Sequence, residues 1–365
     1  MRVLLVSNQY APVIGGIEVF LRQLAPTLQA RGHEVAVLTG MHRDATAPRE
    51  VLDGVTVFRT DIVRAVTRKD PFAIARCRRA ALAAAAEFAP DVIHAHDSGP
   101  NLWAVAVSGL PLLATVHGST ELYAREQLEP IARQLAKCGW VTGVSQSVAD
   151  DVIALVPSLA GRVSVVANGV SVPPDPPAAH PGGRNIVAAG RMVPQKGFDV
   201  LLRAFAQIAA HDPDASLRIV GDGPLRSQLE KLAATLGVAD RVDMSGAVRH
   251  TAMAGVFAAA SVVAMPSRLE GMPLVALEAG LAARPVVATP VQGLGEVVIH
   301  GETGLLVPPD DPTALAGAIS ELLNDSARSS RLGEAARRHV VAHHSLSATA
   351  AAFEELYLRV ISRDT

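Results

Sequence analysis

Two carboxylates, Glu270 and Glu278, have the spacing in this 365-residue sequence that most strongly suggests ligand binding. They flank a Gly-Met-Pro turn in the stretch SRLEGMPLVALEAG, residues 267–280. Pro273 suits the first position of a helix, which leaves Glu270 in the preceding loop and Glu278 about one and a half turns along the helix. Two such acceptors can hydrogen-bond two hydroxyl-bearing parts of one ligand. The alternative is that Glu270 only complements the helix dipole and Glu278 lies on a solvated face.

The residues around Glu278 favour the ligand-binding interpretation. The segment PLVALEAGLAARPVV is otherwise apolar and leads into a buried strand, so we expect a carboxylate within it to face a cleft. The backbone N–H groups of Leu274 and Val275 would begin the helix, where amides lack an intrahelical acceptor. An anion or a hydroxyl can bind at such a helix start.

Two further stretches place basic residues or glycines where a strand gives way to a helix. In AAGRMVPQKGFDVLLRAF, Arg191 follows the strand and Lys196 precedes the helix, so both cations are placed to bind one pyrophosphate. In VSNQYAPVIGGIEVFLRQL, Gly15 and Gly16 precede a helix and would let backbone N–H groups approach a phosphate. The glycine pair is not a G-x-G-x-x-G fingerprint, and alone it fits an ordinary flexible turn equally well.

The elements that must position these residues alternate along the chain. Short runs rich in Val, Leu and Ile, such as RVLLVS, EVAVLT, NIVAAG and SLRIVG, alternate with helix-period segments. This pattern is typical of parallel sheets covered by helices, with ligands at the carboxyl ends of the strands. The sequence therefore predicts an α/β fold of two doubly wound Rossmann-like domains that face a central cleft.

Length and proline content indicate the domain boundaries. The chain exceeds the size at which a single core usually stops growing, about 250–300 residues. A proline-rich stretch without helical period follows the Asn-Gly-Val at 168–170 and is typical of a linker. We expect a first domain at 1–170, a linker at 171–184, a second domain at 185–343 and a final helical segment at 344–365.

Charge, cysteine content and hydropathy exclude several classes of protein. The 33 Lys and Arg residues nearly balance the 35 Asp and Glu residues, which argues against a nucleic-acid partner. Cys77 and Cys138 lack a metal-binding spacing and are expected to be free thiols in a reducing cytoplasm. The start, MRVLLVSNQY, predicts a buried strand rather than a signal peptide, and no segment suits a membrane span. We therefore expect a cytoplasmic protein.

Two short motifs contain residue types that can bind metals. Asp212-Pro213-Asp214 precedes a strand and fits a helix-to-strand turn better than a set of metal ligands. His94 and His96 end another strand two positions apart, where they could line the cleft, but no third ligand is identifiable. We expect neither a metal nor a cofactor.

Taken together, these motifs resemble those of the retaining glycosyltransferases of family 4, which have the GT-B fold and use nucleotide-sugar donors. The resemblance covers essentially the whole chain, in the order Gly15-Gly16, His117-Gly118, VSQSVADDV, NGV, GRMVPQKG, VGDGPL, EGMPLVALEA and GEVVIHGETGLLVPPDDPTAL. The Glu-x7-Glu pattern is its most specific element. The resemblance implies an acceptor-side first domain, a donor-binding second domain and a last helix that packs back on the first domain.

The resemblance also implies roles for single residues. Arg191 and Lys196 would hold the donor diphosphate, and Glu278 would accept hydrogen bonds from the ribose. Glu270 would hold hydroxyls of the transferred sugar and, with His117, take part in catalysis. The other implied donor contacts are Gly15, Gly16, Leu274 and Val275 for the diphosphate, and Gly271, Met272 and Pro273 for the sugar. The chain departs from many relatives in having Met272 where they have an aromatic residue, and Pro273 has no N–H to donate.

The implied reaction moves a hexosyl group from a UDP- or GDP-sugar to a hydroxyl acceptor with retention of configuration. His117 is expected near the reacting centre, at the mouth of the first domain's fifth strand, although a structural histidine is the alternative. No nucleophile for a double displacement is identifiable. We therefore favour a same-face mechanism without a metal, in which two fixed cations and a helix start stabilise the leaving diphosphate.

The acceptor is expected to be a saccharide, a lipid or a small metabolite. Residues 64–79 hold six basic residues and one acidic residue. Such a cluster is compatible with weak binding to the inner membrane surface, with a phosphorylated acceptor, and with an ordinary solvated face.

Two other functions remain open. A sugar-nucleotide epimerase can share the fold, but Glu-x7-Glu together with GRMVPQKG disfavours it. A catalytically silent nucleotide-sugar binding protein is disfavoured by the intact set of candidate residues. A dinucleotide oxidoreductase is less compatible still, because no strand is followed by G-x-G-x-x-G.

Overall fold

A computed structural model describes residues 1–42, 47–96, 98–118 and 125–364, which form two compact units. Unit 1 comprises Met1–Gly169 and Leu346–Thr365, and unit 2 comprises Val170–Ser345. The segment 171–184 belongs to unit 2, whereas the last helix belongs to unit 1. Each unit has its own sheet.

The described residues of unit 1 form an eight-stranded sheet in the order β3-β4-β2-β1-β5-β6-β7-β8. Neighbouring strands are parallel except β3 and β4, which form an antiparallel hairpin at one edge. The hairpin turn is Asp53-Gly54, with φ of 50° and 80°. An Asp-Gly pair favours this left-handed turn geometry. The strands are β1 (Arg2–Ser7), β2 (Glu34–Gly40), β3 (Arg49–Leu52), β4 (Val55–Thr60), β5 (Val92–His96), β6 (Leu112–Val116), β7 (Trp140–Gly143) and β8 (Val163–Val165).

Helices cover this sheet, and the last of them comes from the far end of the chain. They are α1 (Gly16–Ala30), α2 (Ile62–Thr67), α3 (Pro71–Phe88), α4 (Pro100–Val105), α5 (Arg125–Leu135), α6 (Gln146–Leu155) and, after unit 2, α14 (Leu346–Asp364). Glu354 of α14 forms a two-pronged ion pair with Arg31, just after α1, at 2.6 and 2.7 Å. The same carboxylate lies 2.8 Å from His33. Phe353 and Tyr357 of α14 are fully buried, so this helix completes the core of unit 1.

Unit 2 has a six-stranded parallel sheet in the order β11-β10-β9-β12-β13-β14. Its strands are β9 (Asn185–Ala189), β10 (Ser216–Val220), β11 (Val242–Gly246), β12 (Val262–Met265), β13 (Val286–Ala288) and β14 (Gly304–Leu306). The apolar strand residues pack against helices in a continuous core. The helices are α7 (Phe198–His211), α8 (Arg226–Thr235), α9 (His250–Ala258), α10 (Leu274–Leu281), α11 (Gln292–Val297), α12 (Pro312–Asn324) and α13 (Ser326–His343).

Both sheets have a switch point, where the strand order reverses. In unit 1 it lies between β1 and β5, and in unit 2 between β9 and β12. Loops that leave two such strands diverge at their carboxyl ends and open a crevice, which is where ligands bind in open α/β sheets. In unit 2, the loops after β9 and β12 carry Lys196 and Glu270.

Candidate active site

The centre of the unit 2 site is an ion pair between Lys196 and Glu270. Lys196 Nζ lies 2.6 Å from Glu270 Oε1, and the two side chains are 22% and 8% exposed. Ser267 donates a second hydrogen bond to the same carboxylate oxygen at 2.7 Å. A carboxylate this deeply buried requires such partners, because an unpaired charge would lose much of its solvation. The two residues that the sequence assigned to diphosphate and sugar are therefore in direct contact.

Lys196 is held at the end of a 3-10 turn, Pro194–Lys196, that follows β9. The next residue, Gly197, has φ of 63° and lies against the Pro266 carbonyl, where a Cβ atom would overlap the oxygen. Glycine is required there for both conformation and space. The tight turn brings the loop after β9 onto the loop after β12, and so brings Lys196 to Glu270.

Arg268, which the sequence analysis did not single out, ties the same loops together. Its guanidinium donates to both carboxylate oxygens of Asp199 at 2.9 and 2.8 Å and to Asp310 at 2.7 Å. It also donates to the Pro194 carbonyl at 2.7 Å. The hydrogen bonds with Asp199 raise the pKa of Arg268 above its ordinary value. This network fixes the loops that carry the Lys196–Glu270 pair.

Arg191 is exposed, and its guanidinium has no hydrogen-bond or ion-pair partner among the residues that the structure describes. It leaves the sheet directly after Gly190 at the end of β9. The expected convergence of Arg191 and Lys196 on one anion stays a prediction, because of the two only Lys196 forms an ion pair with a described residue, Glu270.

The helix after Glu270 begins one residue later than predicted. Pro273 is the N-cap, with extended φ and ψ of −76° and 126°, and α10 starts at Leu274. Proline fits there because its missing N–H would have no role at a cap. The first hydrogen bond runs from the Ala276 N–H to the Pro273 carbonyl at 3.2 Å. The amides of Leu274 and Val275 therefore stand at the helix start, as predicted, while Pro273 itself is corrected from helical position to cap.

Glu278 lies one turn into α10 with its side chain 16% exposed. Burial raises the pKa of its carboxyl to about 7. His250, at the start of α9, approaches it with 3.4 Å between Nδ1 and Oε1. His250 is not predictable from the sequence, since a lone histidine at a helix start gives no signal. A carboxyl of this kind changes charge near neutral pH, which is a property often found at functional sites.

Three histidines form a stack in unit 1. The rings of His94 and His96 lie 4.1 Å apart, and those of His96 and His117 lie 5.2 Å apart. His96 Nδ1 and His117 Nε2 share a hydrogen bond of 2.9 Å. Burial lowers the pKa of His94 and of His96 well below the ordinary value, and that of His117 to about 3. The stack is therefore uncharged near neutral pH.

Two expectations about these histidines were wrong. His94 and His96 are fully buried rather than lining a cleft, because His94 hydrogen-bonds Tyr357 of α14 at 2.8 Å and Thr115 of β6 at 2.7 Å. His117 follows β6, the sixth strand of the unit and not the fifth, because the β3–β4 hairpin lies between β2 and β5 in the chain. It is half-buried at the carboxyl end of β6.

The Gly15-Gly16 pair lies at the start of α1, as predicted, with Gly15 as N-cap. Glu18, a buried acidic residue in the first helical turn, folds back so closely that a Cβ atom on Gly15 would overlap its carboxylate. A carboxylate already occupies this helix start, where it is favoured by the helix dipole. Whether a phosphate binds beside it stays a prediction.

Neither a metal cluster nor a membrane helix is found in the described ranges. No group of three or more His, Cys, Asp or Glu side chains there is arranged to hold a metal ion. No helix in those ranges combines the length and apolar character needed to cross a bilayer. Asp212 caps its own turn, accepting the Asp214 N–H at 3.2 Å.

Comparisons with known proteins agree with this architecture. Residues 14–172 match the family described as Glycosyltransferase Family 4, and residues 176–339 match Glycosyl transferases group 1. The chain is 30% identical to a glycogen synthase of Mycobacterium tuberculosis, covering 98% of this chain and 94% of that protein. It is 33% identical to a D-inositol 3-phosphate glycosyltransferase of Thermobispora bispora, covering 96% of this chain and 91% of that protein.

A solved structure has the same fold over its full length. Sucrose-phosphate synthase from Thermosynechococcus elongatus superposes with a TM-score of 0.86 at 26% identity, covering 99% of both chains. The α/β class and the GT-B fold predicted from the sequence are confirmed, as is the resemblance to family 4. The chain therefore belongs to the family 4 and group 1 glycosyltransferases and is a glycosyltransferase.

Proposed function

We propose that the protein is a retaining glycosyltransferase that uses a UDP- or GDP-sugar and binds this donor through unit 2. The Lys196–Glu270 pair at the β9/β12 switch point is the observation that carries the proposal. It supplies a cation and a carboxylate within 2.6 Å of each other, beside the start of α10. A nucleotide-sugar has matching chemistry, since its diphosphate is anionic and its sugar and ribose carry hydroxyls.

The proposed division of roles follows from charge. Lys196 and Arg191 stabilise the diphosphate as it gathers negative charge, together with the amides of Leu274 and Val275. Glu270 accepts hydrogen bonds from the sugar. The carboxyl of Glu278, one turn into α10, accepts those from the ribose.

The proposed chemical step is a same-face displacement. The bond between the anomeric carbon and the diphosphate oxygen breaks, and its electron pair stays on that oxygen. The acceptor hydroxyl forms the new bond on the face that the diphosphate leaves, and its proton passes to a diphosphate oxygen. His117, uncharged near neutral pH, acts as a hydrogen-bonding group near the sugar rather than as an acid. The step needs no metal.

Product analysis tests this proposal. The protein is incubated with UDP-glucose or GDP-mannose and with D-inositol 3-phosphate or a maltooligosaccharide, in magnesium or in EDTA. We expect transfer from one donor in both conditions, with the anomeric configuration retained by NMR. Inversion, or loss of all transfer in EDTA, contradicts the mechanism. Isomerisation of the donor without an acceptor would identify an epimerase, and binding without turnover a silent binding protein.

The acceptor site is proposed to lie in unit 1, at a pocket of about 540 Å³. The pocket follows the carboxyl ends of β2 and β4, the edge at which α/β sheets bind ligands. Arg64 and Arg68, one turn apart on and just after α2, are exposed there. The full lining is Met41, His42, Asp61, Val63, Arg64, Thr67 and Arg68. This chemistry supports a small phosphorylated acceptor, and several relatives are named as D-inositol 3-phosphate glycosyltransferases.

Membrane binding is a second proposal for residues 64–79. Phe72 is 79% exposed at the start of α3, beside exposed Lys69 and Arg76. Arg78, in contrast, stacks on Trp103 at 5.0 Å and is not available to a lipid. Sedimentation with vesicles tests this, since an exposed aromatic among cations should favour anionic over neutral vesicles. Equal binding to anionic and neutral vesicles would remove the proposal. The double variant Arg64→Ala, Arg68→Ala separates it from the acceptor proposal, because loss of vesicle binding indicates a membrane contact and a raised KM for a phosphorylated acceptor indicates an acceptor contact.

A further inference from the structure

Gln292 has a backbone conformation that is unusual for its residue type. Its φ is 38°, in the left-handed region that glycine favours. It begins α11, in the loop after β13, and β13 is the sheet neighbour of β12. A non-glycine residue held in this region costs stability, and such residues cluster at ligand-binding sites.

The side chain of Gln292 has a defined orientation. Its Oε1 accepts a hydrogen bond from the backbone N–H of Glu270 at 3.3 Å. Only the carbonyl end of a carboxamide can accept, so this bond assigns the amide nitrogen to the other end. Among the described residues, that nitrogen has no hydrogen-bond partner, and the side chain is half-buried. Two N–H donors therefore stand unused beside Glu270.

The neighbouring groups divide the binding task. Glu270 Oε1 is bound by Lys196 and Ser267, while the backbone of Glu270 is bound by Gln292. Lys196 is a cation suited to the diphosphate. A neutral carboxamide adds little to the binding of a phosphate charge, but it suits a hydroxyl, which can accept its N–H.

We propose that Gln292 is a specificity-determining residue whose amide nitrogen donates a hydrogen bond to a hydroxyl of the transferred sugar. The inference rests on the proposed donor site in unit 2 and adds a sugar contact to it. The strained backbone is retained because it directs the carboxamide across the Glu270 N–H. The competing explanation is that Gln292 only anchors the loop that carries Glu270.

Two substitutions separate these explanations. Gln292→Ala and Gln292→Gly both remove the carboxamide, but only glycine relieves the left-handed backbone. Binding of UDP and UDP-glucose, and of GDP and GDP-mannose, is measured by calorimetry for the wild type and both variants, together with thermal unfolding.

We expect both variants to weaken binding of the sugar nucleotide roughly three- to tenfold, the effect of one hydrogen bond, with little change for the matching nucleoside diphosphate. The glycine variant should unfold at a higher temperature than the alanine variant, and at or above the wild-type temperature. If the variants bind both the sugar nucleotides and the nucleoside diphosphates as tightly as the wild type does, the proposal is overturned. Equal weakening of both ligands with a lower unfolding temperature in both variants would also overturn it, since that identifies a loop anchor. Failure of the donor site itself is distinguishable, because the wild type would then bind none of the four ligands.

Discussion

The two units place different chemistry at the same edge of similar sheets. At the carboxyl edge of unit 2 lie a buried ion pair, Lys196–Glu270, and a carboxyl that titrates near pH 7, Glu278. At the corresponding edge of unit 1 lies a stack of imidazoles whose pKa values burial has lowered. One unit therefore offers charge and the other offers uncharged hydrogen-bonding groups.

Under the proposed function, this difference assigns a separate task to each unit. Stabilising a leaving diphosphate needs fixed cations that are already in place. Lys196 meets this need because Glu270 and the Arg268 network hold it before any donor binds. Contacting a sugar or its acceptor hydroxyl needs donors and acceptors without a competing charge, which His117, the half-buried member of the stack, can provide.

The largest effect is expected from breaking the charged pair. Lys196→Ala and Glu270→Ala should each lower turnover by about 10²–10³-fold, because each removes a group that acts at the reacting end of the donor. Lys231→Ala, at an exposed lysine of α8, is the matched control and should leave turnover unchanged. Wild-type rates in the two site variants, with unfolding temperatures unaffected, would refute the role of the pair.

A smaller loss is expected on the uncharged side of the comparison. His117→Ala should lower turnover by about tenfold, the scale of one lost hydrogen bond to the reacting sugar. Because the imidazole is neutral, its titration should not affect turnover near neutral pH. The profiles of turnover against pH should therefore have the same shape in the wild type and the variant. Turnover within twofold of wild type would make His117 a structural residue.

Glu278 sharpens the comparison through the pH dependence of binding. Its pKa is about 7, and hydrogen bonds from ribose hydroxyls favour the ionised form, so nucleoside diphosphate affinity should fall as pH drops below 7. The fall contributed by Glu278 should approach about tenfold per pH unit. Nucleoside diphosphate affinity is measured by calorimetry from pH 8 to 5.5 for the wild type and Glu278→Gln. The difference between the two profiles gives the contribution of Glu278, because titration of the ligand phosphate is common to both proteins. Parallel profiles for the two proteins would contradict the ribose assignment.

The two fully buried histidines, His94 and His96, should affect stability rather than binding. The folded-state pKa values of His94 and His96 lie below the unfolded value, so the unfolded state binds more protons in acid. Their contribution is fully present above the unfolded-state pKa, about 6.5, and is lost as pH falls below it. Urea unfolding of the wild type and His94→Gln at pH 7.5 and 5 measures the difference in slope. His211→Gln, at an exposed histidine, is the control, and a His94→Gln slope equal to wild type would count against the assignment.

The sequence predicted the fold because parallel strands are continuous apolar runs, and it placed the helix at Pro273 to within one residue. It did not predict the β3–β4 hairpin, and for β3 the reason is that a short, partly exposed strand has little apolar signal. Contacts between distant residues were also missed. His94 is buried by Tyr357, which lies 263 positions later. Lys196 meets Glu270 across 74 positions, so its spacing from Arg191 could not reveal the pair.

Arg268 and Gln292 illustrate a second limit. Each has an ordinary local sequence, and Gln292 only begins a short helix. Yet Arg268 binds Asp199 of α7 and Asp310 of the loop before α12. Gln292 becomes notable only through its φ and its bond to Glu270. Periodicity and motif spacing report the position of a residue on its own element, and not what the folded sheet brings beside it.

Calorimetric titration of the protein with UDP and with GDP, in magnesium and in EDTA, tests the donor site most directly. We predict that one of the two nucleotides binds preferentially, with similar affinity in both buffers, and that Lys196→Ala weakens this binding. If neither nucleotide binds, or if binding is unchanged in Lys196→Ala, the assignment of the donor site to the Lys196–Glu270 pair is wrong.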